Sequence, residues 1–210
     1  MAGSVRNALG SKSAFALSDI PTGSKLLPYQ DPKEGEGQAM EEIVRYLSQI
    51  IEENGMEKNG NAKITKQGVV LQLKGDRLFE SGKATIKTEA LPILDGLARY
   101  ISKSSKDVDV LGHTDDRPIA TAVFPSNWEL SAARAGRAVR YLAEKGVPAQ
   151  RLRAIGHADT VPVTGNATPV GRAANRRVEF VFVTRHRADD PEAQPPPGGS
   201  NNLSQGDPRE

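Results

Sequence analysis

Between Met40 and Thr184 the spacing of apolar residues switches repeatedly between a helical and a strand period, which confines this stretch to a layered α/β fold around one core. Met40, Ile43, Val44, Leu47, Ile50 and Ile51 recur at i, i+3, i+4 and i+7, predicting an amphipathic helix that ends at Asn54-Gly55. Residues 64–73 carry two β-prone pieces around Lys66-Gln67-Gly68, the pattern of a hairpin. Leu91, Leu94, Leu97, Ala98 and Ile101 place a helix over 89–101, with Pro92 in its tolerant first turn. Val108, Val110 and Leu111 predict a short strand, and Leu152 with Ile155 another. Between them, Trp128, Ala132, Ala135, Val139 and Leu142 follow helical spacing as far as Gly146. Val178, Phe180 and Phe182 alternate with Glu179, Val181 and Val183, as in a strand covered on at least one face. The order predicts an α/β (α+β) fold: a mixed β-sheet with helices packed on one face and an extra N-terminal helix.

Outside this region the composition changes. Residues 1–37 are rich in Gly, Ser, Pro and Lys and read as a flexible linker, 38–60 as the N-terminal helix, and 61–187 as the main domain. Residues 188–210 include Gln194-Pro195-Pro196-Pro197-Gly198-Gly199 and only one large apolar residue, Leu203, so they read as a disordered tail. There is no cysteine, which excludes disulfides and thiolate chemistry. No apolar run approaches the roughly 20 residues of a membrane span, and Met1-Ala2-Gly3-Ser4 does not begin a signal peptide. With 28 basic and 26 acidic side chains the net charge is +2, which argues against nucleic acid as a partner. Arginines nevertheless concentrate in the second half, from Arg134 to Arg177, and their planar forks suit carboxylates or phosphates. The competing reading is a set of solvated helix and strand faces.

Two connections are long for a compact domain, His113 to Pro125 and His157 to Asn175, and each follows a Gly-His pair just past a strand. If the two strands are parallel neighbours, both connections leave the sheet edge where such folds tend to hold ligands. Ser126 and Glu129 form a capping box that starts the long helix. Arg134 lies about 100° from the Trp128 stripe, so it should flank the core and reach the mouth of the first loop. Asp115 and Arg134 would then offer a carboxylate for an ammonium and a guanidinium for a carboxylate, a site for a zwitterion. They could equally pair with each other, and Asn175-Arg176-Arg177 could simply open a strand. His113 and His157 lack the companions a metal site needs, no cofactor is called for, and no nucleophile-elbow pattern supports catalysis.

Four segments in this order resemble one family. Leu78-Phe79-Glu80-Ser81-Gly82-Lys83-Ala84, Gly112-His113-Thr114-Asp115, Asn127-Trp128-Glu129-Leu130-Ser131 with Arg134-Ala135, and Asn175-Arg176-Arg177-Val178-Glu179 are together similar to the OmpA-like peptidoglycan-binding domain. Asp115-Asp116-Arg117-Pro118-Ile119 and the helix start at Ser126 look most like the MotB branch of flagellar stators. The resemblance implies a β/α/β/α/β core and a non-catalytic grip on peptidoglycan, through the diaminopimelate of its stem peptide. By position Asp115 would take the ammonium and Arg134 the carboxylate, with Thr114, Asn127, Leu130 and Arg176 lining the pocket. It also implies a homodimer in the periplasm, tethered to the inner membrane and partnered by a MotA-type channel subunit. The helix after Met40 would be regulatory or dimer-associated. MotB-type proteins carry a membrane helix with a proton-carrying aspartate that this sequence lacks. The chain is therefore expected to be the part that follows that helix, with a soluble relative as the alternative, and residues 1–37 are expected to be the post-membrane linker, a candidate for the plug region. An adaptor that binds another envelope protein is the alternative, and a wall hydrolase would need an acid/base pair facing across a bond.

Overall fold

The computed structural model describes residues 32–183. The elements run α1 (Pro32–Glu53), β1 (Gly60–Thr65), β2 (Gly68–Lys74), α2 (Gly75–Leu78), α3 (Leu91–Lys103), β3 (Asp107–Gly112), α4 (Asn127–Glu144), β4 (Leu152–Gly156), α5 (Pro169–Asn175) and β5 (Arg177–Val183). The five strands form one sheet in the order β1-β2-β5-β3-β4. β3 and β4 pair in parallel, and every other neighbour is antiparallel. The last strand in sequence is thus the central one: Phe180 sits opposite Leu71 on one side and Val110 on the other.

One face of the sheet carries the core. Val178, Phe180 and Phe182 join Val69, Leu71, Leu73, Val108 and Val110 against Leu47 and Ile50 of α1, Leu94, Leu97 and Ile101 of α3, and Ala135, Ala138 and Leu142 of α4. Burying each large apolar side chain stabilises by roughly 1.5–3 kcal/mol. Strand alternation sends Lys63, Gln72, Asp109 and Glu179 to the opposite face, which explains why helices pack on one side only. The mixed sheet expected from the sequence is therefore the one observed.

The structure departs from the sequence reading in three places. α1 begins at Pro32, inside the stretch read as linker from Gly35 and Gly37. Glycine weakens a helix by about 1 kcal/mol per residue, but Ile43, Leu47 and Ile50 hold the far end against the core. α1 stops where Gly55 takes φ 62 and Met56 N donates to the Ile51 carbonyl. The second long connection is not structureless throughout, because Thr168 caps α5 by accepting from Gly171 N. Finally, the buried face of α4 is Leu130, Ser131, Arg134, Ala135, Ala138 and Leu142, while Trp128 is exposed. The stripe counted from Trp128 was rotated away from the true core face. Residues 1–31 and 184–210 lie outside the described residues, as do the linker, plug and tail readings that fall there.

Candidate functional site

Because β3 and β4 are parallel, both long connections leave the sheet at the same edge. Gly112 and Gly156 are register partners at that edge. A Cβ on Gly112 would lie 2.2 Å from the Ser131 carbonyl oxygen, and one on Gly156 2.8 Å from the Ala132 nitrogen. The two glycines of the Gly-His pairs thus let the second turn of α4 rest directly on the strand ends. Ser131, wholly buried, donates to the Trp128 carbonyl and accepts from Ala158 N at 3.0 Å, fastening the second connection to α4.

The first connection is pinned from α4 as well. Ser126 Oγ accepts from Trp128 N and donates to Glu129, the expected capping box in a variant form. The Asn127 amide donates to the carbonyls of Asp115 and Arg117, so this side chain holds the loop that presents Asp115. Asp115 is buried, its Oδ1 accepting from Arg117 N and its Oδ2 from Arg176 Nη1 at 2.7 Å. The rest of the Arg176 fork reaches Asp76 of α2, Nε at 3.1 Å and Nη2 at 2.7 Å. The hydrogen bonds that Arg176 donates to Asp76, and then to Asp115, raise its pKa above the ordinary value despite partial burial. The Asp76 carboxyl is correspondingly lowered, first by its bonds from Arg176.

Arg134 does not flank the core as expected. It is 5% exposed and donates from Nε to the Lys83 carbonyl at 2.9 Å and from Nη2 to the Glu80 carbonyl at 3.3 Å. Its guanidinium lies 5.5 Å from the centre of the Phe79 ring. Among the described residues no carboxylate comes within ion-pair distance of it, so the expected alternative of an Asp115–Arg134 pair is replaced by Asp115–Arg176. Burial lowers the Arg134 pKa, while the charges of Asp76 and Asp115 oppose that shift, placing all of these groups in one electrostatic neighbourhood. Thr114 and Leu130 are both buried beside these residues in sequence, and the Thr114 hydroxyl has no hydrogen-bond partner among the described residues. Asn175 does more than open a strand: it is fully buried, accepts from Val163 N and Thr164 N, and donates to the Thr164 carbonyl and Asn166.

A second cluster centres on His113, two residues before Asp115. His113 is 2% exposed and stacks on His157 with ring centroids 5.0 Å apart. Among the described residues neither His113 ring nitrogen has a hydrogen-bond partner, and Glu179 stands 3.8 Å from Nε2 while pairing with Arg177. Burial, with Arg177 and His157 adding to it, pushes the His113 pKa down to about 3. Among the described residues no group of three or more His, Asp or Glu side chains is arranged to hold a metal ion. Within the same limits no helix is long and apolar enough to cross a membrane.

Comparison with known proteins places this edge in context. Residues 78–176 match the OmpA family, a span that runs from α2 to the arginine beside Asp115. The cell wall anchor of the T6SS from Pseudomonas aeruginosa is 38% identical, with a TM-score of 0.60 over 65% of this chain and 96% of that one. The chain belongs to the OmpA family. Its match to Bacillus subtilis YtxE is 39% identical over 153 residues, 72% of this chain and 63% of the relative. Motility protein B of the same organism is 31% identical over 159 residues, 75% of this chain. The chain spans 61% of that relative's length.

Within this OmpA-family domain, sequence reasoning missed Asp76, the Glu80 and Lys83 carbonyls, and Ser131. Asp76 follows Gly75 at the end of β2 with nothing in its spacing to link it to a residue 100 positions away. Backbone acceptors leave no mark in a sequence, and Ser131 was legible only as a small residue inside the helix motif.

Proposed function

We propose that the domain binds peptidoglycan without cleaving it and anchors an assembly of the flagellar-stator type to the cell wall. The observation that carries this reading is Arg134, a buried guanidinium with two backbone acceptors and, among the described residues, no carboxylate partner, near a buried Asp115. Removing a cation from water is unfavourable unless an anion compensates it, so the cleft favours a ligand that brings a carboxylate. Asp115 suits an ammonium on the same ligand. Diaminopimelate in the stem peptide carries both groups on one carbon. Thr114, Asn127, Leu130 and Arg176 frame the pocket. The similarity to Motility protein B and to a cell wall anchor supports this assignment. It also supports a periplasmic domain, tethered to the inner membrane in the intact protein, working as a homodimer beside a MotA-type channel subunit.

The test is a pull-down with purified sacculi. Wild-type protein should pellet with the wall, and Asp115→Ala and Arg134→Ala should remain soluble while staying folded by circular dichroism. Wild-type binding by both variants would remove the charge pair from the reading. Release of soluble muropeptides on incubation would overturn its non-catalytic part.

A further inference from the structure

Asp76 belongs to none of the motifs that mark the cleft, yet it holds the cleft's most heavily bonded arginine. Arg176 gives two of its three nitrogens to Asp76 and one, Nη1, to Asp115. The backbone reinforces this hold: Gly75 N donates to the Arg176 carbonyl at 2.7 Å, and Lys87 Nζ donates to the Asp76 carbonyl. α2 therefore meets Arg176 through both main chain and side chain. Asp76 itself is about half exposed, with a side-chain accessibility of 54%, so packing does not explain its place.

A two-pronged arginine–carboxylate contact fixes the plane of the guanidinium as well as its position. With its fork on Asp76, Arg176 can offer Asp115 only a single bond. Without Asp76 the same fork would be free to turn onto Asp115 and occupy it from both oxygens. That would cover the carboxylate a cationic ligand group needs. We propose that Asp76 is a positioning residue that restrains Arg176 to one bond with Asp115 and so keeps Asp115 open to an ammonium.

This inference rests on the peptidoglycan reading and is tested on the same ligand. The probe is a soluble stem tripeptide ending in diaminopimelate, titrated by calorimetry into wild type, Asp76→Ala, Arg176→Ala and the double variant, each with its melting temperature. Asp76→Ala should weaken binding roughly 10-fold at an unchanged melting temperature, within the range for members of one ion-pair network. In the Arg176→Ala background the same change should alter affinity less than about twofold, since Asp76 acts through Arg176. Asp76→Glu should restore part of the loss. Wild-type affinity in Asp76→Ala overturns the proposal, as does an equal loss in the Arg176→Ala background or a loss that tracks a fall in melting temperature. If wild-type protein binds neither tripeptide nor sacculi, the peptidoglycan reading fails and takes this inference with it. If wild type binds and Asp76→Ala binds equally well, only the inference fails.

Discussion

His113 and Asp115 stand two residues apart on the continuation of β3, yet their surroundings are opposite in kind. Strand-like alternation directs His113 toward the sheet face of Arg177 and Glu179, and the turn at Thr114 brings Asp115 to the cleft. Asp115 is buried among donors that it accepts from, and its charge is shared with Arg176. His113 is buried with neither ring nitrogen bonded among the described residues, and is held neutral by its burial and by neighbouring positive charge. One stretch of loop thus carries a bonded carboxylate and, two residues away, a buried neutral imidazole. The contrast teaches that burial alone does not identify a binding residue. What separates the two is bonding: donors meet the Asp115 carboxylate, whereas burial and neighbouring positive charge hold the His113 ring neutral.

The largest expected effect falls on the charged side. Asp115→Ala should cost about 2–5 kcal/mol in affinity for stem peptide and little in stability, measured by calorimetry and urea unfolding. A stability loss as large as the binding loss would make Asp115 a structural residue and dissolve the contrast. Arg134→Ala should cost about 1–3 kcal/mol of folding stability in urea, because the partly buried bonds to the Glu80 and Lys83 carbonyls are lost. The uncharged side should respond to acid. The unfolded chain protonates His113 below its ordinary value of 6.5, whereas the folded protein resists until about 3. The stability this provides is intact above pH 6.5 and declines by about 1.4 kcal/mol per unit as pH falls through that window. His113→Phe should flatten that decline, and an unaltered pH profile of unfolding would show that His113 is not its source. The smallest effect belongs to the scaffold that both residues share. Ser126→Ala should lower stability by about 1 kcal/mol through loss of the α4 cap, with stem-peptide affinity shifting much less.

The strands and helices were legible because apolar periodicity records which face is buried, and here the sheet has one covered face. The start of α1 was obscured by Gly35 and Gly37, whose local preference is overruled by packing further along the helix. The face of α4 was misjudged because Trp128 was counted as core, although it stands half exposed at the helix start. That single residue displaced Arg134 from the buried face to the flank. The Asp115 loop and the Arg176 segment were found from the motif pattern. The partner exchange, with Arg176 rather than Arg134 bound to Asp115, was not. It depends on α2 and on backbone carbonyls, and charge partners distant in the chain leave no periodic trace.

The position of β5 has a consequence for how such a chain is made. A ribosome delivers the β1–β2 hairpin and the β3-α4-β4 unit first, as separate halves with no strand between them. Only when the segment from Arg176 onward emerges can the halves join, because β5 supplies both the seam and the guanidinium for Asp115. Long-range closure of this kind is slow relative to local folding. A product cut short before Arg176 would therefore present two unmatched sheet edges and no finished cleft, so that completion of synthesis and the ability to grip a ligand arrive together.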